Sequence, residues 1–226
     1  MIKAIVFDLD DTLYLEENYA FSGMTFIGTW VEENWGILGL ESELRRLWNQ
    51  GIKTKTFDHA FQNLEYEICQ NSVKELVNVY RNHSPEIELE PDSIVLLNRL
   101  QNKYHLGLIT DGYKVAQNNK IDALNLHKWF SKIIVTDELG KSYWKPNPRS
   151  YKMIEAEFSC KGKECVYIGD NISKDFISAN QRGWMTIQIQ RPNKIHKQKL
   201  KLKPEYYADM IIDNLNALQD GIWEKL

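Results

Sequence analysis

Cysteine is scarce in this 226-residue chain. Cys69, Cys160 and Cys165 are too few and too irregularly spaced for a disulfide framework or a zinc knuckle, so free thiols are expected. The five histidines are scattered, which offers no paired imidazoles to a transition metal. Long apolar runs are missing too. The apolar opening at residues 2–7 is interrupted by Lys3 and stops at Asp8, far short of a membrane span or a signal-peptide core, so a cytoplasmic protein with no membrane partner is expected. Positive charge is not in excess: a net charge of −3 and a pI near 6.0 leave no electrostatic footprint for a polyanion. Internal repeats and low-complexity tracts are absent.

What is present is the composition of a globular protein, 43% hydrophobic and 26% charged, in two kinds of pattern. Residues 2–7 are a β-branched-rich run suited to a strand buried on both faces. From about residue 15 to Pro85 the spacing turns helical, as in Leu44, Leu47 and Trp48 or Phe61, Leu64 and Ile68. This block, 14–90 with its flanks, carries 6 Lys/Arg against 13 Asp/Glu, a poor clamp for nucleic acid. Gly23 and Gly28 have phosphate-loop spacing, but Thr29-Trp30 stands where Lys and Ser/Thr are needed.

After Pro85, candidate strands at 106–109, 133–135, 166–168, 185–189 and 207–212 alternate with helical stretches. Helices are expected to begin at Glu90-Pro91-Asp92 with a stripe of Ile94, Leu97 and Leu100, near Pro146, and near Asp213, which is placed to cap Leu215, Leu218 and Ile222. The fold class is therefore α/β, a doubly wound parallel sheet with an all-helical insertion after its first strand: residues 1–13 and 91–226 form the core and 14–90 the cap. Arg191, Lys194, Lys197, Lys199, Lys201 and Lys203 have no acid among them and read as a solvated loop.

Ligands of open α/β sheets bind beyond the carboxyl ends of the strands. The first strand delivers Asp8, Asp10 and Thr12 there, the second Thr110 and Asp111, and the fourth Asp170 with Asp175 a turn later. These acids should converge.

Four segments, Asp8-Leu9-Asp10-Asp11-Thr12, Thr110-Asp111-Gly112, Lys145-Pro146, and Gly169-Asp170 through Lys174-Asp175, stand in the order of the four motifs of the haloacid dehalogenase superfamily, which the chain resembles along essentially its whole length. The resemblance is to the branch with a helical cap between the first two motifs. Phosphatase members also carry the acid two residues past the nucleophile that dehalogenase members lack, so Asp10 implies phosphoryl chemistry. Asp111-Gly112-Tyr113 departs from the Asn-Gly that many relatives have after the threonine.

Phosphoryl transfer needs an in-line nucleophile, neutralised equatorial oxygens and a proton for the leaving oxygen. Asp8 is the expected nucleophile, forming an acyl-phosphate, and Asp10 the acid for the leaving alcohol and then the base for water. Thr110 and Asp111 at the second strand end, with the cation of Lys145, are expected to bind the phosphoryl group. The oxygen-rich cluster suits Mg²⁺, whose ligands by resemblance are Asp8, the Asp10 carbonyl and Asp170, with Asp175 and Thr12 behind them. The substrate class is a small phosphomonoester such as a sugar phosphate or nucleoside monophosphate, and the chain should be a monomer or weak homodimer. A phosphomutase of the same family, a phospho-accepting signalling domain and an idle binding module are the alternatives.

Overall fold

The computed structural model describes residues 1–192, 195, 202–219 and 222. The chain divides into two compact units, one holding Met1–Glu17 and Glu88–Leu226, the other Asn18–Ile87.

The first unit is a six-stranded, wholly parallel sheet: β1 (Ala4–Phe7), β2 (His105–Thr110), β3 (Lys132–Val135), β4 (Cys165–Gly169), β5 (Met185–Ile189) and β6 (Met210–Ile212), in the order β3-β2-β1-β4-β5-β6. Every residue of β1 is buried, as a β-branched run with neighbours on both edges and layers on both faces requires. Because β2 lies on one side of β1 and β4 on the other, the crossovers diverge and open a crevice beyond the end of β1. The α/β fold class read from the sequence is the one observed.

Several local expectations are corrected. The helix α5 (Pro91–Leu100) starts at the predicted proline, but its inner face is Asp92, Ser93, Leu96, Leu97 and Leu100, and Ile94 is exposed. No helix follows Asp213 directly; a single 3₁₀ turn covers Leu215–Ala217, and the Leu215 N–H is taken by Asp92 Oδ2 at 2.7 Å, so the cap comes from α5. Arg191 is not solvated. Its guanidinium is buried, donating to the Thr12 carbonyl at 2.8 and 2.9 Å and to Asp92 at 2.9 Å, which ties β5 to the loop after β1. Lys203 is exposed, while Lys194, Lys197, Lys199 and Lys201 lie outside the described residues.

The second unit is helical: α1 (Glu16–Trp35, whose first residues belong to the sheet unit), α2 (Leu40–Asn49), α3 (Thr56–Asn63) and α4 (Gln70–Asn82). Phe61, Leu64 and Ile68 do not share one helix, because α3 stops at Asn63 and Glu65 takes a φ of +61°; all three still pack into the unit's core. Gly23 and Gly28 are helix-packing glycines. A Cβ at Gly23 would lie 2.1 Å from the Tyr80 ring and one at Gly28 2.7 Å from Glu41 Cβ, so their spacing reflects close helix contact. Trp30 meets Trp35 edge to face and Tyr19 meets Tyr80 likewise, the geometry of aromatic core packing.

In the sheet unit the remaining helices are α6 (Lys114–Ala123), α7 (Arg149–Glu157) and α8 (Ile177–Gln181). α7 starts after Pro148, three residues later than the position expected at Pro146. Cys69 is exposed and Cys160 and Cys165 are buried, all as free thiols. Among the described residues no helix is long and apolar enough to cross a membrane.

Candidate active site

Asp8 continues β1 by donating its N–H to the Ile168 carbonyl at 2.8 Å, which aims its side chain into the crevice. The chain then turns: Leu13 N–H bonds back to the Leu9 carbonyl at 3.0 Å and Asp11 adopts a φ of +53°. This turn ends the strand alternation, so Asp10 takes its own direction. Asp11 stabilises the turn, its carboxylate accepting the Glu16 N–H at 3.0 Å and the Ile195 N–H at 2.7 Å.

Lys145 is the electrostatic centre. With its side chain wholly buried, it donates from Nζ to Asp8 Oδ1 and Asp175 Oδ1, both at 2.7 Å, and to the Tyr167 hydroxyl at 3.1 Å. The Lys145-Pro146 peptide bond is cis. Burial alone would lower the ammonium pKa, but Asp175 and Asp8 together hold it well above its ordinary value. Burial dominates at Asp8, where it outweighs the Lys145 charge and, aided by Asp175, lifts the carboxyl to about 6. Asp175 also accepts the Asn171 N–H at 2.8 Å, so both of its oxygens are committed.

Oxygens of Asp8, Asp170 and Asp175 all lie within 4.8 Å of one another, the only such group of His, Cys, Asp or Glu among the described residues. A set of carboxylates without nitrogen or sulfur suits a hard cation. With Asp175 engaged by Lys145 and the Asn171 amide, Asp8 and Asp170 are the carboxylates left to ligate.

Gly169 makes this arrangement possible. A Cβ there would stand 2.5 Å from Asp175 Oδ2 and 2.9 Å from its Cγ, and Asp175 is held too firmly to move aside. Gly169→Ala should cost about 1–3 kcal/mol of stability by overpacking, as read by thermal denaturation.

Thr110 ends β2 with its hydroxyl accepting from Gln117 Nε2 at 2.7 Å. The Asp111 carboxylate turns away from the crevice to accept from Thr136 Oγ1 at 2.7 Å and the Lys145 N–H at 3.0 Å, with Lys174 Nζ 3.4 Å from its other oxygen. Its backbone N–H is the part suited to an anion. Thr12 is buried beneath the site, its carbonyl held by Arg191. Asn171-Ile172-Ser173, a glycosylation triplet by sequence, is buried at the asparagine, whose Oδ1 accepts the Ser173 N–H at 3.0 Å.

Asp10 stands apart from Asp8 in a network the sequence did not reveal. Lys120 Nζ and Gln117 Nε2 each donate to it at 2.7 Å, on different oxygens, and the Tyr14 hydroxyl adds a third bond. Burial pushes this carboxyl up, but the Lys120 charge and the three donors outweigh it and hold it below its ordinary value. Glu16 lies nearby, lifted to about 7 by burial and then by the Asp10 charge. The one signal in the sequence was α6 itself, where Gln117 and Lys120 fall on the stripe of Ala116 and Ile121; Val115 is exposed instead.

A parallel α/β sheet thus holds a buried carboxylate–lysine pair and a second, part-buried acid beyond the end of its first strand, where such sheets bind ligands. Residues 5–189 match the family of haloacid dehalogenase-like hydrolases, and the chain belongs to that family. It is 31% identical over 200 residues to the glyceraldehyde 3-phosphate phosphatase of Methanopyrus kandleri, covering 84% of this chain and 85% of that protein. With the glyceraldehyde 3-phosphate phosphatase of Methanocaldococcus jannaschii it shares 28% identity over 97% of this chain and 96% of the relative. The crystal structure of a 2-haloacid dehalogenase from Pseudomonas syringae pv. Tomato DC3000 superposes over all of both chains with a TM-score of 0.66 at 22% identity, a likeness of fold.

Proposed function

We propose that this hydrolase is a Mg²⁺-dependent phosphatase of small phosphomonoesters, triose and other sugar phosphates first among them, acting through a phospho-Asp8 intermediate. The observation that carries the reading is the coexistence of Asp8, paired at 2.7 Å with the buried Lys145, and a second acid, Asp10, held on its own set of donors. A dehalogenase has no use for the second acid; hydrolysis of an unactivated phosphate ester does, because the departing alkoxide needs a proton. The curated relatives named above, matched over most of their length, supply the triose phosphate as first choice.

In this reading Asp8 attacks phosphorus while Lys145, the Thr110 hydroxyl and the Asp111 N–H meet the equatorial oxygens. Asp10 protonates the leaving oxygen and then deprotonates the water that cleaves the acyl-phosphate. Its lowered pKa in the present arrangement favours the anion, the form needed for that second half, so the first half requires Asp10 to take up a proton as the phosphate binds. Asp8, Asp170 and the Asp10 carbonyl would hold Mg²⁺, which when bound supplies positive charge to the phosphoryl oxygens. The helical unit carries none of the four motifs.

A panel of phosphometabolites, scored by kcat/KM with and without chelator, tests the proposal: triose phosphates should rank among the best substrates, chelation should abolish turnover and Mg²⁺ should restore it. Asp8 must lose its proton to ligate. With its pKa near 6, apparent Mg²⁺ affinity should be level above about pH 7 and fall about tenfold per unit below pH 6. Full activity after exhaustive chelation, or no turnover of any phosphomonoester, would remove the reading.

A further inference from the structure

We propose that Gln117 and Lys120, one turn apart on α6, are positioning residues that set the Asp10 carboxylate for proton transfer and, through Gln117, fix its relation to Thr110. The inference rests on the phosphatase reading and goes beyond it in assigning residues outside the four motifs.

Lys120 and Gln117 are 4% and 1% exposed, in a helix whose Val115 faces solvent. Burying an ammonium and a carboxamide in place of available apolar side chains is costly, and a buried ion pair repays it poorly as a source of stability. Their directions explain the expense better. Lys120 Nζ holds Asp10 Oδ1 at 2.7 Å beside the Tyr14 hydroxyl, and Gln117 Nε2 holds Oδ2 at 2.7 Å, so the carboxylate plane is fixed by donors on both oxygens. Gln117 Nε2 also lies 2.7 Å from Thr110 Oγ1 and 2.6 Å from the Asp111 carbonyl, joining the loop after β1 to the end of β2 through one amide. The two amide hydrogens of Gln117 serve three acceptors, so one side chain gathers Asp10, Thr110 and the Asp111 carbonyl into one cluster.

Gly112 leaves room for this amide. Its φ is +140°, and a Cβ there would stand 2.9 Å from both Gln117 Cδ and Nε2. The glycine of the second motif is thus tied to the placement of Gln117 as well as to the turn.

The test separates proton transfer from general damage. For a double-displacement phosphatase, kcat/KM reports only the steps up to departure of the leaving group, and a nitrophenolate leaves without a proton whereas an alkoxide does not. Lys120→Met should lower kcat/KM for an alkyl phosphate about 100-fold and for p-nitrophenyl phosphate less than about fivefold, with Lys120→Arg recovering part of the loss. Gln117→Leu, which also releases Thr110, should lower both. Should Lys120→Met fail to fold, Lys120→Gln keeps a donor in place and must show the same split to a smaller degree. Equal losses for the two substrates in Lys120→Met or Lys120→Gln, or no loss at all, would overturn the assignment while leaving the phosphatase reading intact. A wild-type protein inert to both substrates would overturn the two together.

Discussion

Asp8→Asn should lower turnover by on the order of 10⁴-fold or more, because in the proposed reaction it removes the nucleophile and not merely a contact. The fold should survive. Asparagine keeps the shape of the side chain, its carbonyl oxygen still accepts from Lys145, and the Asp8 N–H bond to Ile168 is a backbone contact that the substitution does not touch. The variant also removes a carboxylate whose ionisation is opposed by burial, so its melting temperature should equal or exceed that of the wild type at neutral pH. Loss of chemistry with retained stability separates a nucleophile from a scaffold residue, and a variant that keeps even a tenth of the activity would show that Asp8 is not the attacking group.

Lys145→Met should bring the largest loss of stability among single substitutions in the site. The wild-type ammonium stands between Asp8 and Asp175, 2.7 Å from each, with no exposure of its side chain. Removing it leaves two buried carboxylates with no cation bonded to either among the described residues and only Lys174 in their vicinity, a change that costs about 3–5 kcal/mol in comparable buried pairs and roughly 10 °C in melting temperature for a chain of this size. The pH dependence has a definite sign. Asp8 is already raised by burial to about 6 and loses the Lys145 charge that opposes this, so protonation favours the folded form and the deficit shrinks as pH falls toward the ordinary carboxylate range. It should be greatest at neutral pH and above. Activity should fall with the substitution at every pH, since the charge opposing the phosphoryl oxygens is gone. Urea unfolding of the two proteins at neutral and acidic pH measures the difference.

Much of this was legible in the sequence because strand ends and motif order carry it. A β-branched run that stops at Asp8, an aliphatic run that stops at Thr110 and another that stops at Gly169-Asp170 are enough to place the crevice once the sheet is parallel. Asp175 was expected behind the metal ligands, and its carboxylate accepts from Lys145 Nζ at 2.7 Å. Gln117 and Lys120 were not foreseen, since on a helix a glutamine and a lysine ordinarily mark the solvated side. Only the tertiary placement of α6 against the loop after β1 turns that side inward. Arg191 was misread for the same reason: within a run of lysines it looks solvated, yet its partners, Asp92 and the Thr12 carbonyl, lie 99 and 179 residues away in the chain. Among the described residues a 3₁₀ turn follows Asp213, and Asp92 rather than Asp213 accepts the Leu215 N–H. Contacts of this range leave no trace in local spacing.

Acid-quench mass spectrometry of the wild-type enzyme, mixed with Mg²⁺ and its best phosphomonoester and stopped within the first turnover, tests phospho-Asp8 most directly. A phosphoryl group should appear on the proteolytic peptide that carries Asp8, disappear on alkaline hydroxylamine treatment as an acyl-phosphate does, and be absent from Asp8→Asn. Phosphate on any other residue, or an Asp8→Asn variant that turns over at the wild-type rate with no phosphopeptide in either protein, would contradict it.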